Sequence, residues 1–227
     1  MPPVENQQQP LHLCPEKVAY WYFRLNGFLQ IENFVVHPPD RGGQRTDADI
    51  LGVRFPQRAE FRLDYPEAPM QDDVNILGLT GEFIDIVIAE VKTSRPCSLN
   101  GPWTNPDDEN VQRVLLAIGC LSNDQINDAA QAIYETGIYS CDNGIRVRLV
   151  AVGRTWSRGL QESHPDVVQV RWEDILSFVW NRFSVYEQQK RDTQQWDAQG
   201  NELKRLAAEQ GRENFVRLCF EGLRRGA

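Results

Sequence analysis

Two charged side chains, Glu90 and Lys92, end an otherwise apolar stretch of the sequence. Within residues 85–92 (DIVIAEVK), the four residues between Asp85 and Glu90 are apolar on both faces, which is typical of a β-strand in the middle of a sheet. Because side chains alternate along a strand, Glu90 and Lys92 lie on the same side of it. Buried charges are costly unless they pair with each other or hold a metal ion. This strand end is therefore predicted to be either a metal site or a salt bridge.

A further carboxylate, Asp49, lies in a second predicted strand, over residues 47–55. If the two strands are neighbours, Asp49, Glu90 and Lys92 meet at one end of the sheet. Carboxylates are hard oxygen ligands of the type that Mg²⁺ takes, and waters and substrate phosphates usually complete its shell. Such an ion activates a water and neutralises a leaving oxygen, so the set favours phosphodiester hydrolysis, with Lys92 orienting the water or stabilising charge. Asp47 lies on the same strand face and is the alternative ligand.

The elements that would position these side chains follow from hydrophobic periodicity and from the placement of Gly and Pro. Strands are predicted over residues 28–37, 47–55, 81–92, 145–153 and 167–171. Helices are predicted over 16–26 and 172–183, and two more begin at Pro106 and at Asn123 or Asp124. Residues 56–80 are predicted to be an irregular insertion. Clustered strands followed by helices and returning strands predict an α/β fold, with a mixed central sheet flanked by helices.

The chain is predicted to have three parts. Residues 1–14 include a polar stretch rich in Gln and Pro, which predicts a disordered tail and not a signal peptide. Residues 15–183 are predicted to form the α/β domain. Residues 184–227 are predicted to form a helical C-terminal appendage, with helix boundaries near Gly200 and Gly211.

Composition narrows the class of protein. Apolar residues make up 41% and charged residues 25% of the chain, as in ordinary globular proteins, and no apolar run is long enough to span a membrane. Five cysteines without a CxxC pair and three histidines argue against a zinc site or a disulfide framework. These features predict a cytoplasmic protein without a membrane partner.

The charge balance is acidic overall but uneven. The chain has 24 basic and 32 acidic residues, a net charge of −8, which argues against general nucleic-acid binding. Residues 145–171, however, contain five arginines and two acids. These arginines form either a locally basic face or solvated strand edges.

The motifs together resemble those of the PD-(D/E)XK nuclease superfamily, in particular members related to Holliday-junction resolvases and restriction endonucleases. The resemblance is carried by Asp49 before Ile-Leu in the second strand and by Glu90-x-Lys92 in the third. Members often carry a glutamate on the first helix, about three turns before a Gly-Phe that opens the first strand, and Glu16 stands in that relation to Gly27-Phe28. The resemblance covers residues 16–171.

The resemblance implies a restriction-endonuclease-like fold and Mg²⁺-dependent cleavage of DNA, with Mn²⁺ as a substitute, in phage defence, restriction or repair. It implies that Asp49, Glu90 and the backbone carbonyl of Val91 are metal ligands, and that Glu16 is an accessory ligand. Lys92 would be the catalytic lysine. Gln112 follows on the next helix, where several such nucleases place a polar residue near the site.

Other interpretations of the same residues stay open. Glu90 and Lys92 can form a plain ion pair, and Glu16 can be a first-turn carboxylate favoured by the helix dipole. Trp103, in the loop after the motif strand, is either a core residue or a platform on which bases stack. A non-catalytic interaction subunit and an RNA-cleaving toxin are the alternative functions. The acidic net charge suggests that a protein partner or a homo-oligomer brings the chain to DNA.

Overall fold

The computed structural model describes residues 11–37, 43–192 and 196–225, so most of the predicted N-terminal tail (residues 1–10) lies outside the described residues. In chain order the elements are α1 (Pro15–Leu25), β1 (Leu29–Val36), β2 (Thr46–Arg54), α2 (Val74–Leu77), β3 (Ile84–Val91), α3 (Asn110–Ile118), α4 (Ile126–Thr136), β4 (Ile138–Ser140), β5 (Ile145–Gly153), α5 (Arg158–Ser163), β6 (Val168–Arg171), α6 (Trp172–Val185), α7 (Ala198–Glu209) and α8 (Arg212–Arg225). Two short 3₁₀ turns, Gly101–Trp103 and Pro106–Asp108, lie between β3 and α3.

Within the described residues, six strands form one mixed sheet. Its spatial order is β1-β2-β3-β5-β4, and β6 also pairs with β5. The β1–β2, β2–β3 and β4–β5 pairs are antiparallel, whereas β3–β5 and β5–β6 are parallel. The predicted α/β fold with a mixed, helix-flanked sheet is thereby confirmed, and so is the C-terminal helical appendage, which consists of α7 and α8.

Helices cover both faces of the sheet. One apolar core joins a sheet face to α1, α6, α7 and α8, and a second joins the other face to α3 and α4. Strand β3 contributes to both cores, with Val87 and Ala89 in the first and Ile86 and Ile88 in the second. Burial on both sides explains why residues 86–89 of this strand are all apolar.

The strand directions bring the candidate residues to one edge of the sheet. Because β2 runs antiparallel to β3, the start of β2 lies beside the end of β3. Because β5 runs parallel to β3, its end reaches the same edge. Asp49, Glu90, Lys92 and the exit of β5 at Arg154 therefore converge there. Loops that follow parallel strands at such an edge are common ligand sites in α/β proteins.

The helix predicted to begin at Pro106 is interrupted. A 3₁₀ turn covers Pro106–Asp108, Glu109 has a φ of +52°, and α3 begins only at Asn110. The side chain of Asn110 is buried, accepts a hydrogen bond from Arg45 Nε (3.1 Å) and donates one to the carbonyl of Pro102 (3.3 Å). These tertiary contacts fix the helix start, and local sequence preference could not reveal them.

The helix boundary predicted near Gly200 lies two residues earlier, so Gly200 is the third residue of α7. The helix is capped by Asp197, whose Oδ1 accepts hydrogen bonds from the Gly200 amide (2.7 Å) and from Trp21 Nε1 (3.0 Å). A Cβ at position 200 would lie 1.9 Å from the Trp21 ring. The glycine therefore allows α7 to pack closely on α1. The boundary predicted at Gly211 agrees with the gap between α7 and α8.

Three short elements, α2, β4 and α5, are not predicted by the sequence pattern. They contain four, three and six residues, too few to show a hydrophobic period.

The longest helices of the described chain, α6 and α8, have 14 residues each. None of the described helices is long and apolar enough to cross a membrane.

The chain just before α1 packs against the C-terminal helix. Leu13 falls in the segment predicted to be a disordered tail, yet it is fully buried in the core shared by α1, α6 and α8. Its amide donates a hydrogen bond to the carbonyl of Gly222 in α8 (3.3 Å). Helix α8 therefore lies beside the start of α1, where Glu16 is found.

Candidate active site

Glu90 is a buried carboxylate with three hydrogen-bond donors. It is 4% exposed; Oε1 accepts hydrogen bonds from Lys92 Nζ and Asn100 Nδ2, and Oε2 accepts one from Trp103 Nε1 (3.0 Å). Lys92 Nζ also donates to Asn100 Oδ1 (2.9 Å). Glu90, Lys92 and Asn100 therefore form a closed triangle of hydrogen bonds. The ion pair that the sequence left as one of two interpretations is present in the structure.

Two of these partners, Asn100 and Trp103, come from the loop after β3. Sequence reasoning did not select Asn100, and it considered Trp103 only as a core residue or a stacking platform. Trp103 is 1% exposed and its indole points at Glu90, so bases cannot stack on it. A buried carboxylate needs hydrogen-bond donors, and the nearest loop can supply them. That requirement could have pointed to both residues from the sequence.

Asp49 faces Glu90 across two neighbouring strands. The register pairs Ile50 with Ala89, so Asp49 lies opposite Glu90, one residue beyond the last paired position. Asp49 Oδ2 accepts a hydrogen bond from the amide of Val91 (2.6 Å). Burial raises the pKa of Asp49 to about 6; the Val91 amide lowers it, and the negative charges of Glu90, Glu16 and Asp47 raise it. Three other carboxylates are therefore close enough to Asp49 to change its pKa.

The remaining acidic candidates lie at the margin of this site. Asp47 Oδ1 accepts a hydrogen bond from Gln44 Nε2 (2.6 Å), and Glu16 Oε2 accepts one from the Cys14 thiol (2.9 Å). Both raise the pKa of Asp49 through space. Of the two aspartates that the sequence left open as ligands, it is Asp49 that lies opposite Glu90.

Gln112 is not joined to the carboxylates. It lies on the first turn of α3 and is half-buried, and its Oε1 is buried without a hydrogen-bond partner among the described residues. No hydrogen bond of the described residues links it to Asp49, Glu90 or Lys92. The structure therefore brings Asp49, Glu90, Val91 and Lys92 together and leaves Gln112 outside this set of contacts.

The donor set of the site fits a Mg²⁺ ion held by two carboxylates. In the described part of the chain, no three Asp, Glu, His or Cys side chains are arranged to hold an ion among themselves. Mg²⁺ is commonly bound through one or two carboxylates, with waters and substrate phosphates as its other ligands. Asp49 and Glu90, opposite each other, supply such a pair, and a cation would offset the burial and the neighbouring negative charges that raise the pKa of Asp49.

The chain finds no match among models of known protein families, among curated proteins or among solved structures. The family resemblance carried by Glu16, Asp49, Glu90 and Lys92 therefore rests on those residues and stays a prediction. The structure adds their placement, at one edge of a mixed sheet and at the start of the neighbouring helix.

Replacing Trp103 with Phe should destabilise the protein, because the buried Glu90 then loses a donor. A hydrogen bond to a charged acceptor contributes about 1.5–3 kcal/mol, so we expect the free energy of unfolding in urea to fall by at least about 1.5 kcal/mol. Trp156→Phe is the matched control, since Trp156 is 55% exposed, and its effect should stay within about 0.5 kcal/mol. Equal losses in the two variants would contradict the role given to the indole N–H.

Proposed function

We propose that the chain is a metal-dependent endonuclease that hydrolyses phosphodiester bonds in DNA. The observation that carries the proposal is the placement of Asp49 opposite Glu90, with Lys92 hydrogen-bonded to Glu90 at the same strand end. Two facing carboxylates and one ammonium at a sheet edge are a set suited to phosphodiester chemistry. The proposed activity is that of the PD-(D/E)XK superfamily, acting in the cytoplasm in phage defence, restriction or repair.

Each residue has a distinct proposed role. Asp49 and Glu90 would hold Mg²⁺ or Mn²⁺, with the Val91 carbonyl and Glu16 as further ligands. The ion, when bound, would activate a water and neutralise the leaving oxygen. Lys92 would orient the attacking water and stabilise negative charge on the phosphate, because its ammonium lies next to Glu90.

Asn100 is a positioning residue in this scheme. Its side-chain oxygen accepts from Lys92 Nζ (2.9 Å), and its side-chain nitrogen donates to Glu90. It therefore fixes the ammonium relative to the carboxylate. A protein partner or a second copy of the chain would help to recruit DNA, since the net charge of −8 opposes long-range attraction.

A cleavage assay with the purified full chain tests the proposal. Plasmid, linear duplex, single-stranded and branched DNA, and RNA of matched sequence, are incubated with Mg²⁺, Mn²⁺ or EDTA. We expect cleavage of DNA with either metal and none with EDTA. Asp49→Asn should lose cleavage, whereas Asp142→Asn, at an exposed position without a described partner, should cleave like the wild type.

The same assay separates the competing functions. Cleavage of RNA alone would support an RNA-cleaving toxin. If all substrates stay intact and calorimetry detects no difference in Mn²⁺ binding between wild type and Glu90→Ala, the chain is a non-catalytic interaction subunit, and the nuclease proposal fails.

A further inference from the structure

A groove rich in arginine lies beside the candidate active site. It has a volume of about 210 Å³ and runs between the loops after β3 and β5 and the helix α8. Its wall is largely apolar and includes Phe220 and Leu223, and the polar residues of its lining are Thr93, Ser94, Arg154, Arg217, Glu221 and Arg224. The volume is below the roughly 300–1,000 Å³ typical of enclosed small-molecule sites, so the groove suits a short length of an extended ligand.

The groove carries uncompensated positive charge. Arg217 is paired with Glu221, the one acid in the lining (Nη1 to Oε1, 2.7 Å). Arg154 and Arg224 are exposed, and neither side chain forms a hydrogen bond or an ion pair with any described residue. The side-chain hydroxyls of Thr93 and Ser94 are likewise without a partner in the described residues. The groove thus offers donors and two free cations, the combination that phosphate oxygens require.

Backbone contacts hold the groove in a fixed position next to Lys92. The amide of Lys92 donates to the carbonyl of Val152 (2.9 Å), and the amide of Arg154 donates to the carbonyl of Arg95 (2.7 Å). A Cβ at Gly153 would lie 2.4 Å from the backbone nitrogen of Cys97, so the two loops approach each other too closely for any other residue there. The two loops therefore form one rigid wall.

Helix α8 connects the groove to the other side of the candidate site. Gly222, between Glu221 and Leu223 of the groove, accepts the amide hydrogen bond of Leu13, three residues before Glu16. Thr93 and Ser94 follow Lys92 directly. The arginines of α8 thus lie between the helix that carries Glu16 and the strand that carries Lys92.

We propose that this groove binds the sugar–phosphate backbone of a nucleic-acid strand, through Arg154 and Arg224, next to the phosphate that is cleaved. The inference rests on the proposed function for the nature of the ligand. It gives α8 a part in substrate binding, and it explains how a chain with a net charge of −8 attracts a polyanion, through local positive charge.

Fluorescence anisotropy with a labelled 20-nucleotide strand and its duplex, in EDTA so that no cleavage occurs, tests the groove. The double variant Arg154→Gln/Arg224→Gln is compared with Arg62→Gln/Arg191→Gln, which changes the net charge equally. The control arginines lie far from the groove. They are close in sequence to Glu60 and Tyr186, which lie toward the C-terminal end of α6. The N-terminal end of α6 is next to the groove, because Trp172 there donates to the carbonyls of Lys92 and Thr93. The helix separates the two ends by about 21 Å.

The groove variant should bind about tenfold more weakly than the wild type, and the slope of log K against log salt should fall by about 1.4–1.8, as expected for two lost phosphate contacts. The control variant should bind within about twofold of the wild type. Arg154→Lys/Arg224→Lys should restore most of the slope, because it restores the charge.

Three results would overturn the inference. They are equal affinities and slopes in the two Gln variants, no binding of either probe by the wild type, and displacement of the probe by polyglutamate as effectively as by unlabelled DNA. The last result would point to an acidic protein as the ligand. Cleavage that depends on Lys92, with unchanged binding in the groove variant, would leave the proposed function intact and remove only the groove. Binding that depends on the groove arginines, without cleavage by the wild type, would support the groove and refute the proposed function.

Discussion

Lys92→Met should reduce DNA cleavage by about 10²–10³-fold, the loss measured when a single donor to transition-state charge is removed from an active site. Among the described residues, the ammonium of Lys92 is the one cationic group hydrogen-bonded to Glu90. In the proposed mechanism, nothing else in this hydrogen-bonded set would place positive charge beside the reacting phosphate, apart from the proposed metal ion. Initial rates of plasmid nicking at saturating Mg²⁺ measure the effect.

The fold should survive this substitution. Glu90 keeps two donors, Asn100 and Trp103, and Met replaces the alkyl stem of the lysine with a chain of similar length. We therefore expect an unchanged circular dichroism spectrum and retained Mn²⁺ binding. Lys17→Met is the matched control, because Lys17 also forms a partly buried ion pair with a glutamate, Glu32. The Lys17→Met protein should cleave DNA at the wild-type rate. Equal cleavage by wild type and Lys92→Met would refute the role of Lys92.

The sequence predicted the strands and the residues that share a strand face, because both depend on local periodicity. The apolar run before Glu90 indicated a central strand, and the alternation in β2 placed Asp49 and Leu51 on one face. Once β2 and β3 are antiparallel neighbours, a single register brings Asp49 opposite Glu90. The sequence favoured Asp49 over Asp47 because Ile50 and Leu51 follow it, and the register, which the sequence does not contain, places Asp49 opposite Glu90.

The partners of the buried charges could not be predicted, because they come from loops and from distant strands. Asn100 and Trp103 reach Glu90 only through the path of a loop that has no period. The sequence also does not show which arginines of residues 145–171 are buried and which are exposed. Arg146 and Arg148 point into the protein and are buried, whereas Arg154 is exposed at the strand exit.

Asp85→Asn should be the most destabilising of the substitutions considered for this chain. Asp85 is 0% exposed and accepts two hydrogen bonds from Arg146, from Nε and Nη2, each 2.7 Å long. Arg148 Nε lies 3.1 Å from Asp85 Oδ1, although its geometry is not that of a hydrogen bond. Neutralising the acid that these two buried cations share should lower the free energy of unfolding by about 3–5 kcal/mol in a urea titration.

Arg148→Met should cost much less, and the comparison tests whether uncompensated charge is the cause. Burial lowers the pKa of Arg148 to about 10, and its Nε and Nη2 have no hydrogen-bond partner among the described residues. Replacing Arg148 with Met removes these unpaired groups and keeps the Asp85–Arg146 pair. It also removes one hydrogen bond to the Leu77 carbonyl, so the free energy of unfolding should fall by about 1–2 kcal/mol. If Arg148→Met destabilises the protein as much as Asp85→Asn, packing and not charge balance holds this end of β3 and β5 together.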